Sequence, residues 1–135
     1  MFEITETALI ADEAAARAFA EHLHDLGCKL ALDDFGTGYG GFTYLKHLPV
    51  DYLKIDIEFV RDLPRDAASQ HVVQAVVQLA AGLGKQTVAE GVEDDETLAL
   101  LEGYGVDLAQ GFGIGRPRSL DKTPAFLQPG PEAAA

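Results

Sequence analysis

The sequence is poor in cysteine and in basic residues, and each shortage excludes a class of protein. Its one cysteine, Cys28, cannot form an internal disulfide, so no oxidising compartment is implied and we expect a cytoplasmic protein. Only 10 Lys and Arg residues stand against 22 Asp and Glu residues, which gives a net charge of −12. That balance argues against DNA, RNA and anionic membrane surfaces as partners, because these bind clustered basic side chains. No apolar run approaches the roughly 18 residues of a membrane span, so we expect no direct membrane insertion.

The residues that are present predict one folded domain in which strands alternate with helices. A length of 135 residues and an apolar fraction of 47% suit such a domain. Alternating and β-branched stretches predict strands at 2–7, 29–35, 51–57, 86–92 and 106–112. Apolar residues at helical spacing, ended by glycine or proline, predict helices at 11–26, 42–47, 66–83 and 94–105. In the first helix Phe19, Leu23 and Leu26 fall on one face, and Gly27 ends the helix.

This order of elements is typical of an α/β fold with a parallel sheet covered by helices. Two architectures fit it, a doubly wound open sheet and a piece of a TIM barrel. No G-x-G-x-x-G turn follows the first strand, and the sequence GTGYGG instead follows a strand that ends in Asp-Asp. A dinucleotide-binding fold is therefore poorly supported.

Each predicted strand carries a polar or charged side chain at or near its carboxyl end. In strand order these are Glu3 and Glu6, Asp33 and Asp34, Lys54 and Asp56, Glu90 and Glu93, and Gln110. A single charge in such a place is ordinary on a solvated loop, but its recurrence on five strands needs a common cause. In a βα barrel the active site is built at this end of the strands.

Several carboxylates that converge with one lysine repel each other unless a cation lies among them. Mg²⁺ and Mn²⁺ prefer carboxylate oxygens, and His22 and His24 lie on different helix faces, so zinc is not indicated. Asp33 and Asp34 can face different metals, or one can bridge two. That arrangement serves two-metal hydrolysis of a phosphodiester, with ions about 3.5–4 Å apart. A metal-dependent barrel enzyme of other chemistry stays an alternative.

Four separated blocks of the sequence resemble the carboxyl-terminal part of the EAL domain, a bacterial phosphodiesterase family that hydrolyses cyclic di-GMP. The blocks are EITET, ALDDFGTGYGGFTYLKHLPVDYLKID, VAEGVE and DLAQGF, and they occur in family order from Glu3 to about Pro117. The resemblance implies a TIM-like barrel that depends on Mg²⁺ or Mn²⁺. It also implies in-line attack of an activated water on one phosphodiester, which opens cyclic di-GMP to linear pGpG.

The resemblance also implies a role for each matched residue. Its metal ligands are Glu3, Asp33, Asp34 and Glu90. Asp33 is the ligand shared between two metals, Lys54 contacts the attacking water and the phosphate, and Asp56 lies beside that water.

Further matched residues are implied to position the reacting groups. Glu93 and Gln110 are positioning groups, and Glu6 anchors the glycine-rich loop. That loop resembles the family's switch loop, and its residues are Phe35, Gly36, Thr37, Gly38, Tyr39, Gly40 and Gly41.

Two departures from the family pattern qualify these expectations. Gly40 and Gly41 stand where the family usually has two serines, and Phe42 stands where it has leucine, so we expect a more mobile loop. The family's Glu-Ala-Leu segment and a metal-binding Asn are absent from this sequence, and both belong to earlier strands. We therefore expect a partial TIM-like (β/α) barrel, about five parallel strands of eight, with little or no hydrolysis by this chain alone.

An incomplete barrel also carries expectations about assembly. We place a truncated EAL-type domain at 1–127 and a disordered tail at 128–135. An open five-stranded sheet exposes two edges, so we expect a homo-oligomer. The alternative function is a non-catalytic binding or interaction module of cyclic di-GMP signalling. The resemblance allows a sensor or cyclase domain upstream in a parent protein.

Overall fold

The computed structural model of the chain describes residues 1–36 and 42–119. In this part of the chain five strands alternate with helices, as predicted. The strands are β1 Phe2–Thr5, β2 Leu30–Phe35, β3 Tyr52–Ile55, β4 Gln86–Ala89 and β5 Leu108–Ala109. The α-helices are α1 Glu6–Ala11, α2 Glu13–Asp25, α3 Ile57–Val60, α4 Ala67–Gly82 and α5 Asp95–Tyr104. A 3₁₀ helix, Phe42–Lys46, precedes β3.

The five strands form one parallel sheet in the order β1-β2-β3-β4-β5. Each strand therefore pairs with the next strand along the chain. A doubly wound sheet reverses its strand order at a switch point, whereas a βα barrel does not. The sequential order accordingly selects the barrel-type architecture over the doubly wound one.

The amino-terminal helical region differs from the prediction of one helix at 11–26. The chain turns helical at Glu6, directly after β1, and Asp12 then separates α1 from α2. Asp12 ends the first helix because its backbone, with φ −152° and ψ 84°, is not helical, and its side chain accepts a hydrogen bond from the Ala15 amide at 3.0 Å. The Asp12 carboxylate is thus an N-cap that starts α2 afresh.

Two other helices begin and end as their sequences predict. Asp66 caps α4, and its side chain accepts a hydrogen bond from the Ala68 amide at 3.0 Å. Asp94 caps α5 in the same way, and Gly105 ends that helix in the left-handed conformation.

The core lies between the sheet and its helices. The largest fully buried side chains are Phe35, Leu9, Leu30, Leu32, Leu45, Leu53, Ile55, Leu63 and Leu101. The face of α2 that carries Phe19, Leu23 and Leu26 is only partly buried. Leu23 is buried, but Phe19 is 44% exposed and Leu26 is 64% exposed, because α2 packs through its smaller Ala16 and Ala20 instead.

In the described residues the large exposed apolar side chains belong to two regions of the sequence. In the first 26 residues they are Met1, Phe2, Ile10, Phe19 and Leu26. On and after β5 they are Leu108, Phe112 and Ile114. In the described residues β1 and β5 each pair on one side only, so both edges of the sheet are open.

Hydrogen bonds fasten the amino-terminal ends of the strands to one another. Asp51, just before β3, accepts from the Leu30 amide at 2.9 Å and pairs with Lys29. Asp107, just before β5, accepts from both the amide and the hydroxyl of the buried Thr87 at 2.8 Å. These bonds fix the strand register at the end of the sheet that stabilises βα barrels.

No helix within the described ranges is long and apolar enough to cross a membrane. The predicted tail at 128–135 lies outside the described residues.

Candidate metal centre

Lys54 lies at the centre of the carboxyl-terminal end of the sheet. Its Nζ atom is 3.0 Å from Glu3 Oε2, 2.9 Å from Asp33 Oδ1 and 2.7 Å from Glu90 Oε1. Its side chain is only 3% exposed. Burial alone would lower the pKa of Lys54, but hydrogen bonds to Glu90, Asp33 and Glu3 outweigh burial and hold this pKa above its ordinary value. The ammonium group thus stays charged among three carboxylates.

The strand register explains why these four side chains meet. Glu3 pairs with Ala31, which lies two residues before Asp33 on the same face of β2. Lys54 projects from β3 and Glu90 follows β4, so each comes from a different strand of one parallel sheet. The carboxyl ends of neighbouring parallel strands lie side by side. Side chains that are far apart in the sequence therefore meet at this end of the sheet.

A β-bulge places both aspartates at this end. Leu32 pairs with Leu53, and Phe35 pairs with Ile55. Two residues of β2, Asp33 and Asp34, therefore lie opposite one residue of β3, Lys54. Asp34 takes the extra position with φ +56°, a left-handed conformation that Asp adopts more readily than most residues. In a regular strand adjacent side chains point to opposite faces. The bulge lets both carboxylates serve the site while Phe35 returns to the core, where it is fully buried.

Asp33, Asp34 and Glu90 form a cluster with the chemistry of a metal site. One carboxylate oxygen from each lies within 4.8 Å of the others. Burial, followed by the neighbouring Asp33 and Asp56 carboxylates, raises the pKa of Asp34. Burial likewise raises the pKa of Glu90, although Lys54 opposes that rise. A donor set of converging oxygens that are costly to ionise together fits a hard divalent cation such as Mg²⁺ or Mn²⁺.

Asp56 joins this cluster from the end of β3. Its carboxylate adds to the rise in the pKa of Asp34, after burial and Asp33, and it caps α3, where its Oδ1 accepts from the Glu58 amide at 2.6 Å. Helix α3 is a short element that the sequence prediction missed, since residues up to Ile57 were assigned to the strand.

The turn at residues 90–93 forms the next part of the site and lies against the segment after β5. The Val92 amide donates to the Gln110 carbonyl at 3.1 Å, and the Gly113 amide donates to the Val92 carbonyl at 2.9 Å. A Cβ at Gly111 would lie 2.1 Å from the Val92 carbonyl oxygen, so only glycine allows this approach.

This packing leaves an open cavity of about 290 Å³ beside the carboxylate cluster. Its lining residues are Ile57, Glu90, Gly91, Glu93, Gln110, Gly111 and Phe112. Glu93 and Gln110 are exposed there rather than in contact with Lys54. The predicted positioning groups therefore line the cavity next to the cluster.

Glu6 connects the two sides of the glycine-rich loop. Its Oε2 accepts from the Gly36 amide at 3.3 Å, and its Oε1 accepts from the Tyr44 hydroxyl at 2.8 Å. Glu6 is 2% exposed, so these two donors satisfy a buried carboxylate. Phe35 belongs to β2 rather than to the loop. The predicted loop residues Thr37, Gly38, Tyr39, Gly40 and Gly41 lie outside the described residues.

Three residues that contact this site were missed by sequence reasoning. They are Tyr44, Ile57 and Phe59. Tyr44 lies in the short 3₁₀ helix, where no charge or motif marked it as a site residue. Ile57 and Phe59 lie in α3, which is too short to show a periodic apolar pattern. The N-cap type of residue at Asp56 was the one available signal for that helix.

The chain is similar over most of its length to known phosphodiesterases. The profile of the family described as "EAL domain" matches residues 1–117. The cyclic di-GMP phosphodiesterase PA2567 of Pseudomonas aeruginosa is 44% identical over 115 residues, which is 85% of this chain and 20% of that protein. The chain spans 14% of the cyclic di-GMP phosphodiesterase PdeB of Shewanella oneidensis and 24% of the probable cyclic di-GMP phosphodiesterase PdeN of Escherichia coli, so it covers a small part of each of these relatives.

Solved structures give the same answer. The phosphodiesterase PaMucR in complex with cyclic di-GMP superposes with a TM-score of 0.83 at 39% identity, covering 88% of this chain and 48% of that chain. Klebsiella pneumoniae BlrP1, in a manganese and cyclic di-GMP complex, superposes with a TM-score of 0.78 at 41% identity, covering 85% of this chain and 29% of that chain. These matches confirm the predicted TIM-like α/β fold. The chain belongs to the EAL domain family.

Proposed function

We propose that this chain is the carboxyl-terminal part of an EAL-type phosphodiesterase domain that hydrolyses cyclic di-GMP to linear pGpG. The observation that carries the proposal is the set of oxygens from Asp33, Asp34 and Glu90 within 4.8 Å of one another, beside the buried Lys54. Relatives named as cyclic di-GMP phosphodiesterases at 44% and 42% identity support the substrate.

Four carboxylates of this chain would hold divalent cations. They are Glu3, Asp33, Asp34 and Glu90. The oxygen-only donor set suits Mg²⁺ or Mn²⁺, which when bound would supply positive charge and lower the pKa of water. A relative solved with manganese and cyclic di-GMP agrees with that preference.

Lys54 and Asp56 would act on the reacting groups. Lys54 keeps its proton, so it can stabilise negative charge that develops on the phosphoryl oxygens. Asp56 lies beside Asp34, where it can orient the attacking water. Addition of water to phosphorus and cleavage of the bond to the 3′ oxygen would open one phosphodiester of the ring and leave pGpG with a 5′ phosphate.

We propose that the isolated chain hydrolyses little or no cyclic di-GMP, because it covers only 48% of the PaMucR phosphodiesterase structure. Its own residues can be tested through metal binding. Titration with Mn²⁺, followed by calorimetry, is expected to show binding that Asp33→Asn weakens by at least about tenfold. The matched control is Asp25→Asn, an exposed carboxylate at the end of α2, which is expected to leave binding unchanged.

The hydrolysis assay separates the two parts of this proposal. Cyclic di-GMP and Mn²⁺ are incubated with the chain, and pGpG is measured by chromatography alongside a complete EAL domain. Turnover by the chain equal to that of the complete domain would contradict the expected loss. Mn²⁺ binding that is absent, or unaffected by Asp33→Asn, would contradict the metal site itself.

A second candidate function is a non-catalytic module that binds cyclic di-GMP or a protein partner and self-associates. The open β1 and β5 edges, with exposed apolar side chains at both, favour it. The two candidates differ in one result. A complete domain that carries this segment, binds cyclic di-GMP and yields no pGpG with saturating Mn²⁺ would favour the binding module.

A further inference from the structure

The segment at residues 110–115, which follows β5, lies against the turn at 90–93 through two glycines. A Cβ at Gly111 would lie 2.1 Å from the Val92 carbonyl oxygen and 2.3 Å from the Val92 amide nitrogen. A Cβ at Gly113 would lie 2.6 Å from the Glu93 carbonyl carbon and 3.0 Å from the Glu93 Cα. The backbone of the turn therefore occupies the space that a side chain at either glycine would need.

Hydrogen bonds extend the pairing of β4 with β5 into this turn. The Gln110 amide donates to the Ala89 carbonyl at 2.8 Å, and the Gln110 carbonyl accepts from the Val92 amide at 3.1 Å. The Gly113 amide donates to the Val92 carbonyl at 2.9 Å, and Val92 is buried. Movement of the turn away from the segment would break these bonds, and movement toward it is blocked because the two backbones already touch.

The end of β3 holds the opposite side of the turn. The Glu90 amide donates to the Ile55 carbonyl at 3.1 Å. A Cβ at Gly91 would lie 2.3 Å from Ile57 Cγ1, so the Ile57 side chain lies on the Gly91 backbone. Glu90 begins the turn, and its Oε1 is 2.7 Å from Lys54 Nζ. A displacement of this backbone would therefore carry the Glu90 carboxylate with it.

Gly115, two residues further along the same segment, provides a contrast. A Cβ at Gly115 would meet no heavy atom of the described residues within 4 Å. Gly111, Gly113 and Gly115 all lack a positive φ, so the backbone does not strain an alanine at any of the three. They differ in their contact with the turn, and alanine substitution isolates that contact.

We propose that Gly111 and Gly113 are positioning residues, which set the placement of Glu90 and Glu93 through the backbone of the turn. The inference rests on the proposed function, which makes Glu90 a metal ligand. A methyl group at Gly113 would push the Glu93 backbone away, because the atoms that it meets are backbone atoms rather than the end of a flexible side chain. The turn would then shift toward β3 and move Glu90 within the metal centre.

The test compares alanine variants of the full chain. Gly111→Ala and Gly113→Ala crowd the turn, whereas Gly115→Ala adds the same methyl group without crowding. Gly84→Ala controls for lost stability, because Gly84 has φ +65° and lies just before β4, at the opposite end of that strand from the turn. Backbone amide resonances are recorded without metal, Mn²⁺ binding is measured by calorimetry, and stability is measured by urea denaturation.

Gly111→Ala and Gly113→Ala are expected to shift the amide resonances of residues 90–93 and to raise the dissociation constant for Mn²⁺ by about tenfold. Gly115→Ala is expected to leave both unchanged. Gly84→Ala is expected to lower stability without changing either. Wild-type affinity for Mn²⁺ in Gly113→Ala would overturn the proposal. An equal loss of affinity in Gly84→Ala would also overturn it, since lost stability would then be the cause.

If neither crowding variant folds, hydrogen exchange of the wild-type chain provides the test. Mg²⁺ is expected to slow exchange of the Val92 and Gly113 amides, because a segment that positions a ligand is held in return by the bound ion. Unchanged exchange with Mg²⁺ bound would overturn the proposal. A wild type that binds no Mn²⁺ rejects the proposed metal site, and the resonances of Glu90 and Glu93 in Gly113→Ala then decide the positioning role separately.

Discussion

At the scale of single residues, two glycines with nearly the same backbone conformation differ in the space around them. Gly91 has φ +69° and Gly84 has φ +65°, so a side chain at either position is strained. A Cβ at Gly84 would meet nothing within 4 Å, whereas a Cβ at Gly91 would overlap Ile57 at 2.3 Å. Comparing an alanine substitution at Gly84 with one at Gly91 therefore separates two destabilising effects. One is the strain of a left-handed backbone, and the other is steric overlap with Ile57.

Gly84→Ala is expected to lower the free energy of unfolding by about 1 kcal/mol, the cost of placing an L-residue in the left-handed region. Gly91→Ala pays the same cost and, in addition, about 1–3 kcal/mol for overpacking against Ile57. Urea-induced unfolding of both variants and the wild type measures the difference. Equal losses in the two variants would show that Ile57 moves aside freely.

The sequence predicted that Glu3, Asp33, Lys54 and Glu90 meet at one end of the sheet, and their roles there stay predictions. The sequence did not predict the geometry at Asp34. The alternating pattern of each predicted strand shows that it carries a charged residue at or near its carboxyl end. These residues are Glu3, Asp33, Lys54 and Glu90. That same pattern places Asp34 on the opposite face from Asp33. Only the bulge, which depends on the pairing of β2 with β3, brings them together.

At the scale of elements, strands and capped helices followed their local signals, and short elements did not. Asp66 and Asp94 mark the starts of α4 and α5 in both sequence and structure. Asp12 is the same kind of cap, but the apolar pattern continues across it, and the break between α1 and α2 was missed. Exposure of Phe19 was unpredictable because helical spacing identifies a face without showing what covers it.

The Tyr44 hydroxyl donates a hydrogen bond to Glu6 and so links the 3₁₀ helix to α1. Tyr44→Phe removes one of the two donors that the described residues give this buried carboxylate, the other being the Gly36 amide. We expect a loss of about 1–3 kcal/mol in the free energy of unfolding at neutral pH. Urea denaturation measures it, and an unchanged midpoint would mean that water replaces the hydroxyl.

The same variant tests a dependence on pH. Burial, followed by the hydrogen bond to Glu6, raises the pKa of Tyr44 above its ordinary value. The folded state therefore holds this proton more tightly than the unfolded state. Its stabilising contribution is complete below about pH 10, the unfolded pKa, and is lost as the pH rises above it. The difference in the free energy of unfolding between wild type and Tyr44→Phe should therefore become smaller as the pH rises above about 10.

At the scale of the whole molecule, the sheet has two open edges in the described part of the chain. Exposed Phe2 lies on β1, and exposed Leu108 and Phe112 lie on and just after β5. Exposed apolar patches beside unpaired strand edges are sites of association. The homo-oligomer expected from the sequence stays a prediction, and these exposed edges and apolar side chains are the surface through which it would form.

We expect the chain to form dimers or larger oligomers as its concentration rises, which light scattering after gel filtration measures. Phe19→Glu places a charge on the exposed apolar surface of α2 and should shift the equilibrium toward monomer without loss of folded structure. Gln78→Glu, on an exposed face of α4, is the matched control. A wild type that remains monomeric at the highest attainable concentration would rule the oligomer out.

The bulge at Asp33 and Asp34 limits which insertions and deletions β2 can tolerate in evolution. Removing one residue between Leu30 and Phe35, or adding one, would turn either Phe35 out of the core or an aspartate into it. Substitution alters one side chain, whereas a change in length alters the facing of every residue beyond it. The number of residues in β2 is therefore constrained independently of their identities.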